Sequence, residues 1–473
     1  FLIFTTQVII SLKNLDLNYL WFINIDEWAF HGSILRIFQG LYTFDLKIFY
    51  GTGFFNYGHL YFLINSFFSY PFYLLDNTEG MILVPRIISS LSSITTLIYL
   101  YKIFKYNGEN YFLPLVLIIS FPSFWINSTI FHPDYPYTCF VIISMYYLLK
   151  DNWKFGSNFM ISCFMFAVSF SLKIQAITVT PLFIFYILYS KKSWTEVLKY
   201  SLIFITVLFV FRIISNLYLL HPEGLNAFIE GFLSDMNSNK TNHGNGNIVS
   251  FYDKIQMINN NYLSYFSIVI ISLIIVFSFQ IRKLEKFTNL ILFTFVINIS
   301  YLFIFVNKAW QHYYIIPFIL LIILLNTIIK ESKYKSIIYV TLLIFQTSVI
   351  VDFLNYDSNQ QRLLIIKDNV QKVSLWLKNE IDENDSILVD GSISVDMDLL
   401  NLNYQNIHRV YGELNRDHFF KYNNHYPGKS VKKKFVIISN KDQESNRIKN
   451  IIPNEYILFK EDTTVSVYVL DEL

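Results

Sequence analysis

The chain has 473 residues, of which 53% are hydrophobic and only 15% are charged, whereas soluble domains carry about 25% charged residues. This composition excludes an ordinary water-soluble enzyme, and the 47 Phe and 34 Tyr residues exclude an intrinsically disordered chain. The net charge of +2 gives no indication of nucleic-acid binding, and Cys139 and Cys163 both lie in apolar runs, as buried thiols do.

The charged residues are unevenly distributed, because 40 fall in the first 360 positions and 32 in the remaining ones. Such a change in density indicates a membrane-embedded part followed by a water-exposed part. The fold class predicted from it is an α-helical polytopic membrane protein with a small carboxy-terminal α/β domain. We place the transmembrane domain at residues 1–356, including an outer loop at 13–85, and the extracytoplasmic domain at 357–473.

The chain opens with Phe1–Leu12, which is too short to cross a bilayer, since a spanning helix needs about 20 residues. We interpret it as a first transmembrane helix clipped at its amino end. Apolar segments that follow bring the prediction to about eleven spans: 86–104, 111–131, 135–149, 157–172, 174–190, 197–220, 263–280, 288–306, 313–329 and 336–352. The segment 58–75 contains Pro71 and leads into acidic residues, so we predict a juxtamembrane helix in the outer interface.

The basic residues of the loops set the orientation by the positive-inside rule. With segment 58–75 left out of the spans, thirteen of them share one face, which we read as cytoplasmic: Lys102, Lys105, Lys150, Lys154, Lys191, Lys192, Lys199, Arg282, Lys283, Lys286, Lys330, Lys333 and Lys335. The opposite face receives the first outer loop, the short connection His132–Pro136 and the carboxy-terminal tail. The expected location is a multi-pass cell (inner or plasma) membrane with the active site outside.

The tail has the pattern of a soluble α/β domain. Residues 361–380 repeat apolar side chains at helical spacing, and Ser386–Val389 and Phe435–Ser439 are short β-rich runs. Lys432–Lys434 precede the second run, and we interpret them as solvated residues that protect a strand edge from aggregation.

The first candidate site residues are Asp26 and Glu27, which follow the first span and open an amphipathic stretch. Two acids at a helix start can simply cap free amides and favour the helix dipole. The alternative is that one of them is a general base held at the membrane surface.

Two further candidates lie in outer loops. His59, in an aromatic stretch, could donate a hydrogen bond to a phosphate or a sugar, or it could be a plain surface histidine. Asp134 lies between Pro133 and Pro136, where an acid could serve a site or could cap a tight turn.

The remaining candidates are basic or imidazole side chains near the outer ends of spans. Lys173 and Arg212 lie at membrane depth, where a charge pairs, faces a cavity or snorkels to the interface. Lys308 and His312 precede a late span and would suit an anionic headgroup, although an aromatic belt with a snorkelling lysine has the same composition.

These elements occur in a recognisable order. An outer Asp26-Glu27 pair is followed by Leu60-Tyr61, by Arg86 opening Arg-Ile-Ile-Ser-Ser-Leu, by Ser171-Leu172-Lys173, and by a His-Tyr-Tyr-Ile-Ile-Pro run from His312. From about Leu12 to Asn326 the chain resembles the GT-C superfamily of membrane glycosyltransferases, in its protein O-mannosyltransferase and aminoarabinose-transferase-like branch. The tail is similar to the exported domains of that branch.

The resemblance implies an inverting transfer of a sugar from a polyprenyl-phosphate donor to an acceptor hydroxyl or lipid-linked acceptor at the outer face. It implies that Asp26 is the base with Glu27 its neighbour, that Lys173 contacts the headgroup, and that Lys308 and His312 lie near the phosphate. We add Arg212 to these candidate residues because of its depth in the membrane and not because of the resemblance. The partners would be the lipid-linked donor, a glycan, lipid or protein acceptor, and the bilayer.

The chain departs from its relatives at two places. They often have Pro-Pro where this chain has Gly58-His59, and an arginine near the late Tyr-Pro run where it has Lys308 or His312. Both leave the sugar and the carrier open. The resemblance implies no cofactor; a divalent metal is possible but not expected. Alternative functions are an O-antigen ligase or polymerase and a lipid-linked sugar flippase or transporter, the last of which would show broken helices near the midplane.

Overall fold

The computed structural model describes residues 1–51, 57–108, 110–190, 193–241, 249–281, 285–354, 358–390, 393–410, 416–421, 430–440 and 451–471. Several positions named in the sequence analysis lie outside these ranges: Lys191, Lys192, Arg282, Lys283 and the predicted domain boundary at 356/357.

The described residues are mostly helical, as predicted. The helices are α1 Leu2–Ser11, α2 Leu17–Ile23, α3 Ile25–Thr43, α4 Leu46–Tyr50, α5 His59–Leu74, α6 Thr78–Tyr106, α7 Phe112–Ile119, α8 Pro122–Ser128, α9 Asp134–Asp151, α10 Ser157–Leu172, α11 Thr180–Tyr189, α12 Trp194–Ser215, α13 Pro222–Thr241, α14 Phe251–Asn261, α15 Tyr265–Ile281, α16 Lys286–Ile304, α17 Ile315–Ile329, α18 Lys335–Leu354, α19 Ser358–Leu377, α20 Met397–Leu400 and α21 Arg416–Phe420. The strands are β1 Ile387–Asp390, β2 Ile407–Val410, β3 Phe435–Ser439, β4 Tyr456–Glu461 and β5 Val465–Leu470. Short 3₁₀ turns cover Ile174–Val179, Leu217–Leu220, Gln311–Tyr314 and Tyr404–Asn406.

The chain divides into two compact units. The first unit contains Phe1–Lys13 and Ile37–Asn355, and the second contains Asn14–Arg36 and Tyr356–Leu473. Residues 14–36, which the sequence analysis placed in the outer loop of the membrane domain, therefore group with the carboxy-terminal residues.

The first unit contains the predicted membrane helices. By length and hydropathy, five segments among the described residues could each cross a bilayer: Thr78–Tyr106, Trp194–Ser215, Lys286–Ile304, Gln311–Ile329 and Lys335–Leu354. The pair α14 and α15, bent by 100°, would make a sixth if it is one span. Shorter apolar helices occupy Leu2–Ser11, Ser157–Leu172 and Ile174–Tyr189.

Fewer segments than the eleven predicted meet the length and hydropathy criteria, because some predicted segments are interrupted and others, such as Ser157–Leu172, form shorter helices. Segment 111–131 is divided into α7 and α8, and Pro122 begins α8, where its missing N–H is tolerated at a helix start. Segment 174–190 begins as a 3₁₀ turn before α11.

Three packed elements position the candidate site of this unit. Helix α9 packs between α6 and α10, and α17 packs against α9 and α16. Helix α17 is apolar on every side and almost entirely buried, as expected for a central helix. The beginning of α9, the end of α10 and the turn before α17 carry Asp134, Lys173 and His312 respectively.

The second unit contains a five-stranded mixed sheet with the order β2-β1-β3-β5-β4. Strand β1 is parallel to β2 and β3, whereas β5 is antiparallel to β3 and β4. The predicted helix and both predicted strands are confirmed, and Val370, Val373 and Leu377 of α19 are fully buried.

The interpretation of Lys432–Lys434 as a solvated strand edge is wrong, because β3 is the central strand. Lys433 is fully buried and Lys434 lies 2.7 Å from Asp385 Oδ2. Burial lowers the pKa of Lys433 to about 8.

Candidate active site

A buried ion pair lies at the centre of the candidate site in the first unit. Lys173 Nζ donates to Asp134 Oδ1 at 2.6 Å, and the two side chains are 2% and 0% exposed. Asp134 is the first residue of α9 and Lys173 follows α10 in an extended conformation, so two neighbouring helix ends present the pair. Because a buried charge is costly unless it is paired, the two side chains stabilise each other in this environment.

Two imidazoles adjoin the pair. His132 Nδ1 contacts Asp134 Oδ2, and His132 Nε2 lies 3.2 Å from the hydroxyl of Tyr57. The ring of His312 is centred 5.1 Å from that of His132. Asp134 is thus flanked by an ammonium on one oxygen and an imidazole on the other.

Tyrosine rings surround the ammonium. Lys173 Nζ lies 5.2 Å from the ring centroid of Tyr57, 5.6 Å from that of Tyr137 and 5.9 Å from that of Tyr313. A cation at this distance is attracted to the face of an aromatic ring, and the attraction increases when water is removed. The rings therefore help to retain a positive charge in an apolar environment.

Lys308 joins the cluster through Trp310. Its ammonium lies 4.3 Å from the Trp310 ring centroid, and that ring is 5.5 Å from the ring of His312. Lys308 is buried. The predicted residues Lys308 and His312 therefore belong to one chain of contacts that continues through His132 to Asp134 and Lys173.

The backbone around Gly58 fixes Tyr57 beside Lys173. Tyr57 and Lys173 form an antiparallel bridge, and Gly58 N donates to the carbonyl of Leu172 at 2.9 Å. A Cβ at Gly58 would lie 1.5 Å from the carbonyl oxygen of Ser171. The close approach of the two segments explains why this position is a glycine.

Arg212 and His59 lie beside this bridge. Arg212 Nη1 donates to the carbonyls of Phe170 and Ser171, both at 3.2 Å. The ring of His59 is centred 4.8 Å from that of Tyr50, and His59 is buried rather than on the surface. These two hydrogen bonds of Arg212 hold the end of α10 immediately before Lys173.

One group of side chains could hold a metal ion. The ligand atoms of His132, Asp134 and His312 all lie within 4.8 Å of one another, and imidazole and carboxylate are ligands that Zn²⁺ accepts. Both oxygens of Asp134 already contact side-chain nitrogens, of Lys173 and His132. A divalent ion would have to displace the His132 contact and accept a neighbouring ammonium, so the arrangement fits a hydrogen-bonded ionic cluster better than a metal site.

Asp26 and Glu27 belong to the second unit. The amides of both residues donate to Asn24 Oδ1, at 3.2 and 3.4 Å. Asn24 therefore caps the start of this helix. Capping was the structural role that the sequence analysis considered for Asp26 and Glu27 themselves. The side chain of Glu27 is fully buried, whereas Asp26 is partly exposed. Of the two carboxylates, Asp26 is the one that solvent or a substrate can reach.

His132 and Tyr57 belong to the cluster but were not predicted as site residues. A signal for His132 was present, because it is two residues from Asp134 in the same short connection. Tyr57 is one of 34 tyrosines and lies in an aromatic stretch, so nothing local distinguished it.

Part of the chain matches a known family. Residues 63–218 match the model of the dolichyl-phosphate-mannose-protein mannosyltransferase family. This segment contains Asp134, Lys173 and Arg212. The chain matches no curated protein sequence.

The whole fold is similar to solved structures. The crystal structure of ArnT from Cupriavidus metallidurans bound to undecaprenyl phosphate has a TM-score of 0.56 and 8% sequence identity, covering 99% of this chain and 97% of that chain. The apo crystal structure of the same ArnT has a TM-score of 0.55 and 8% identity, covering 93% and 92%. The family match over residues 63–218 and the similar polytopic fold support the resemblance to GT-C membrane glycosyltransferases that was inferred from the sequence.

Proposed function

We propose that this protein transfers a sugar from a polyprenyl-phosphate donor to an acceptor hydroxyl, on a glycan, lipid or protein, with inversion at the anomeric carbon. The observation that carries the proposal is the buried pair of Lys173 and Asp134 with its two imidazoles, within a fold shared with a protein solved with undecaprenyl phosphate bound. A buried cationic cluster in a membrane unit is suited to a lipid-linked anion.

The cluster would serve the leaving group. When the bond between the anomeric carbon and the phosphate oxygen breaks, negative charge grows on the phosphate, and fixed cations and N–H donors stabilise it. Lys173 and His312 are the proposed donors, with Lys308 beside His312. Asp134 keeps Lys173 protonated and oriented, and Arg212 holds the backbone that presents it. His59 is proposed to support the same region.

The carboxylate of Asp26 would serve the acceptor. It removes the proton of the acceptor hydroxyl while that oxygen attacks the anomeric carbon from the side opposite the phosphate. One C–O bond forms and one breaks, the proton goes to Asp26, and polyprenyl phosphate leaves. Glu27, which is buried, is proposed as the neighbour of Asp26 in this part of the site. No cofactor takes part in this proposal.

The sidedness follows from the basic residues of the loops. The positive-inside rule assigns the thirteen basic residues to the cytoplasm, so the Asp26 segment, the Asp134 connection and the carboxy-terminal domain would be extracytoplasmic. With the site on that side, the acceptor would lie outside the cell membrane and the donor would be held in the outer leaflet.

The test uses membranes that contain the full chain and a radiolabelled polyprenyl-phosphate sugar. Wild-type membranes should consume the donor and Asp26→Asn membranes should not. Asp16→Asn is the matched control, since Asp16 caps α2 and Asn caps equally well. Donor consumption by Asp26→Asn at the wild-type rate would overturn the assignment of the base.

A further inference from the structure

The segment that carries Asp26 is packed against the carboxy-terminal residues within the second unit. Residues 14–36 and the sheet domain form one compact unit, although more than 300 residues separate them in sequence. This arrangement raises the question of what the carboxy-terminal residues do for the first turns of α3.

Tyr404 contacts α3 from the 3₁₀ turn that precedes β2. Its hydroxyl donates to the carbonyl of Trp28 at 2.9 Å, and its ring is centred 4.5 Å from the Trp28 ring and 5.4 Å from that of His31. A Cβ at Gly32 would lie 2.6 Å from the Tyr404 hydroxyl oxygen. The helix therefore has a glycine at the point where the tyrosine is inserted.

Arg409 contacts the same turn from β2. Its guanidinium carbon is 4.7 Å from the ring centroid of Trp21 and 5.2 Å from that of Trp28, and the two tryptophans pack edge to face with centroids 5.1 Å apart. Arg409 Nη1 donates to the carbonyl of Ile393 at 2.7 Å, and Nη2 donates to Ser394 Oγ. The arginine is buried, so it links the sheet domain to both tryptophans without contact with bulk water.

A third contact lies at the start of α2. The amide of Met397 donates to Asn18 Oδ1 at 2.8 Å, in a buried position. The sheet domain thus holds the α2–α3 segment at Asn18, at Trp21 and at Trp28, on both sides of Asp26. The Asn24 side chain caps the turn between these points.

We propose that Tyr404 and Arg409 are positioning residues, which act through Trp28 and Trp21 to fix the orientation of the Asp26 carboxylate. This inference rests on the proposed function. It assigns a role in catalysis to the carboxy-terminal domain: that domain holds the turn that carries the base. A displacement of a catalytic group by about 1 Å costs on the order of a hundredfold in rate, so small losses of anchoring have measurable effects.

The experiment compares Tyr404→Phe and Arg409→Lys in the full chain, purified in detergent and assayed with the polyprenyl-phosphate sugar. The first variant removes only a hydroxyl, and the second keeps the charge but loses the planar group that contacts both rings. Tyr456→Phe is the matched control, since its hydroxyl bonds the Lys433 carbonyl elsewhere in the same unit.

Both variants should lower kcat about tenfold, while the dissociation constant of the donor stays at the wild-type value and the melting temperature falls no further than in Tyr456→Phe, which also loses a buried hydrogen bond. The inference is overturned if they turn over donor as Tyr456→Phe does, or if donor affinity and melting temperature fall in step with kcat, as for a purely structural role. If Tyr404→Phe does not fold, Arg409→Lys alone decides.

The assays distinguish failure of the proposed function from failure of the positioning role. If the wild-type protein does not consume donor, or if Asp26→Asn does, the proposed function fails and the positioning inference falls with it. If wild type consumes donor and Asp26→Asn does not, the proposed function stands. If Tyr404→Phe and Arg409→Lys then turn over donor as Tyr456→Phe does, only the positioning inference is lost.

Discussion

The ammonium of Lys173 lies 2.6 Å from Asp134 Oδ1, and both side chains are buried in the unit that carries the membrane helices. Their elements, the end of α10 and the beginning of α9, are neighbours in the packed helices. The pair lies within the segment that matches the mannosyltransferase family.

We expect Lys173→Met to lower the melting temperature strongly, because it leaves Asp134 as a buried charge with only the His132 imidazole beside it, and removing one partner of a buried pair costs about 3–5 kcal/mol. The double variant Lys173→Met, Asp134→Asn should be more stable than the single one. Lys330→Met is the control, since Lys330 pairs with Glu285 at the surface, where a pair is worth about 0–1 kcal/mol. Thermal unfolding in detergent measures all three, and equal melting temperatures for Lys173→Met and Lys330→Met would contradict the prediction.

We expect Gly58→Ala to abolish donor consumption. The added Cβ would lie 1.5 Å from the Ser171 carbonyl oxygen, so the bridge that holds Tyr57 beside Lys173 has to separate. Gly156→Ala is a matched control, because its Cβ would meet only Asp151 Oδ1, at 3.8 Å. Turnover in membranes that contain equal amounts of each variant is the measurement. Wild-type turnover by Gly58→Ala would show that the bridge is not needed.

We expect donor consumption to persist in EDTA, because both oxygens of Asp134 are engaged by Lys173 and His132 and the reaction proposed here needs no metal. Elemental analysis of the purified protein should find no stoichiometric transition metal. A metal that copurifies with wild type and is lost in His312→Ala would contradict this prediction and assign His132, Asp134 and His312 as its ligands.

We expect the stability of the second unit to fall as the pH is lowered from about 6.5 to about 4. Burial lowers the pKa of His31 from 6.5 to about 4, so in this range the unfolded chain binds a proton that the folded state does not. The full effect is roughly 3 kcal/mol, present above pH 6.5 and lost toward pH 4. Melting temperatures measured across this range should depend less on pH in His31→Gln than in the wild-type protein. The exposed His221→Gln is the control, and equal slopes in both variants would refute the assignment to His31.

Much of this protein could be predicted from the amino-acid sequence because the relevant signals are local. Hydropathy and the scarcity of charge determined the membrane class, and the periodicity of 361–380 and Phe435–Ser439 determined a helix and a strand of the tail. The candidate residues were found for the same reason: a charge such as Lys173 at membrane depth is costly, so its mere presence in an apolar segment is informative.

Only the tertiary structure decided which of these residues meet. Lys173 and Asp134 are 39 positions apart, and their pairing, like that of His132 with Tyr57, depends on how α9 and α10 pack. The packing of Asn14–Arg36 against the carboxy-terminal residues also depends on tertiary structure, because Trp28 contacts Tyr404, which is 376 positions away in sequence. Contacts between distant segments depend on side-chain shape and packing across the whole fold, which no local pattern encodes, and so the grouping of Asp26 with the carboxy-terminal domain was visible only in three dimensions.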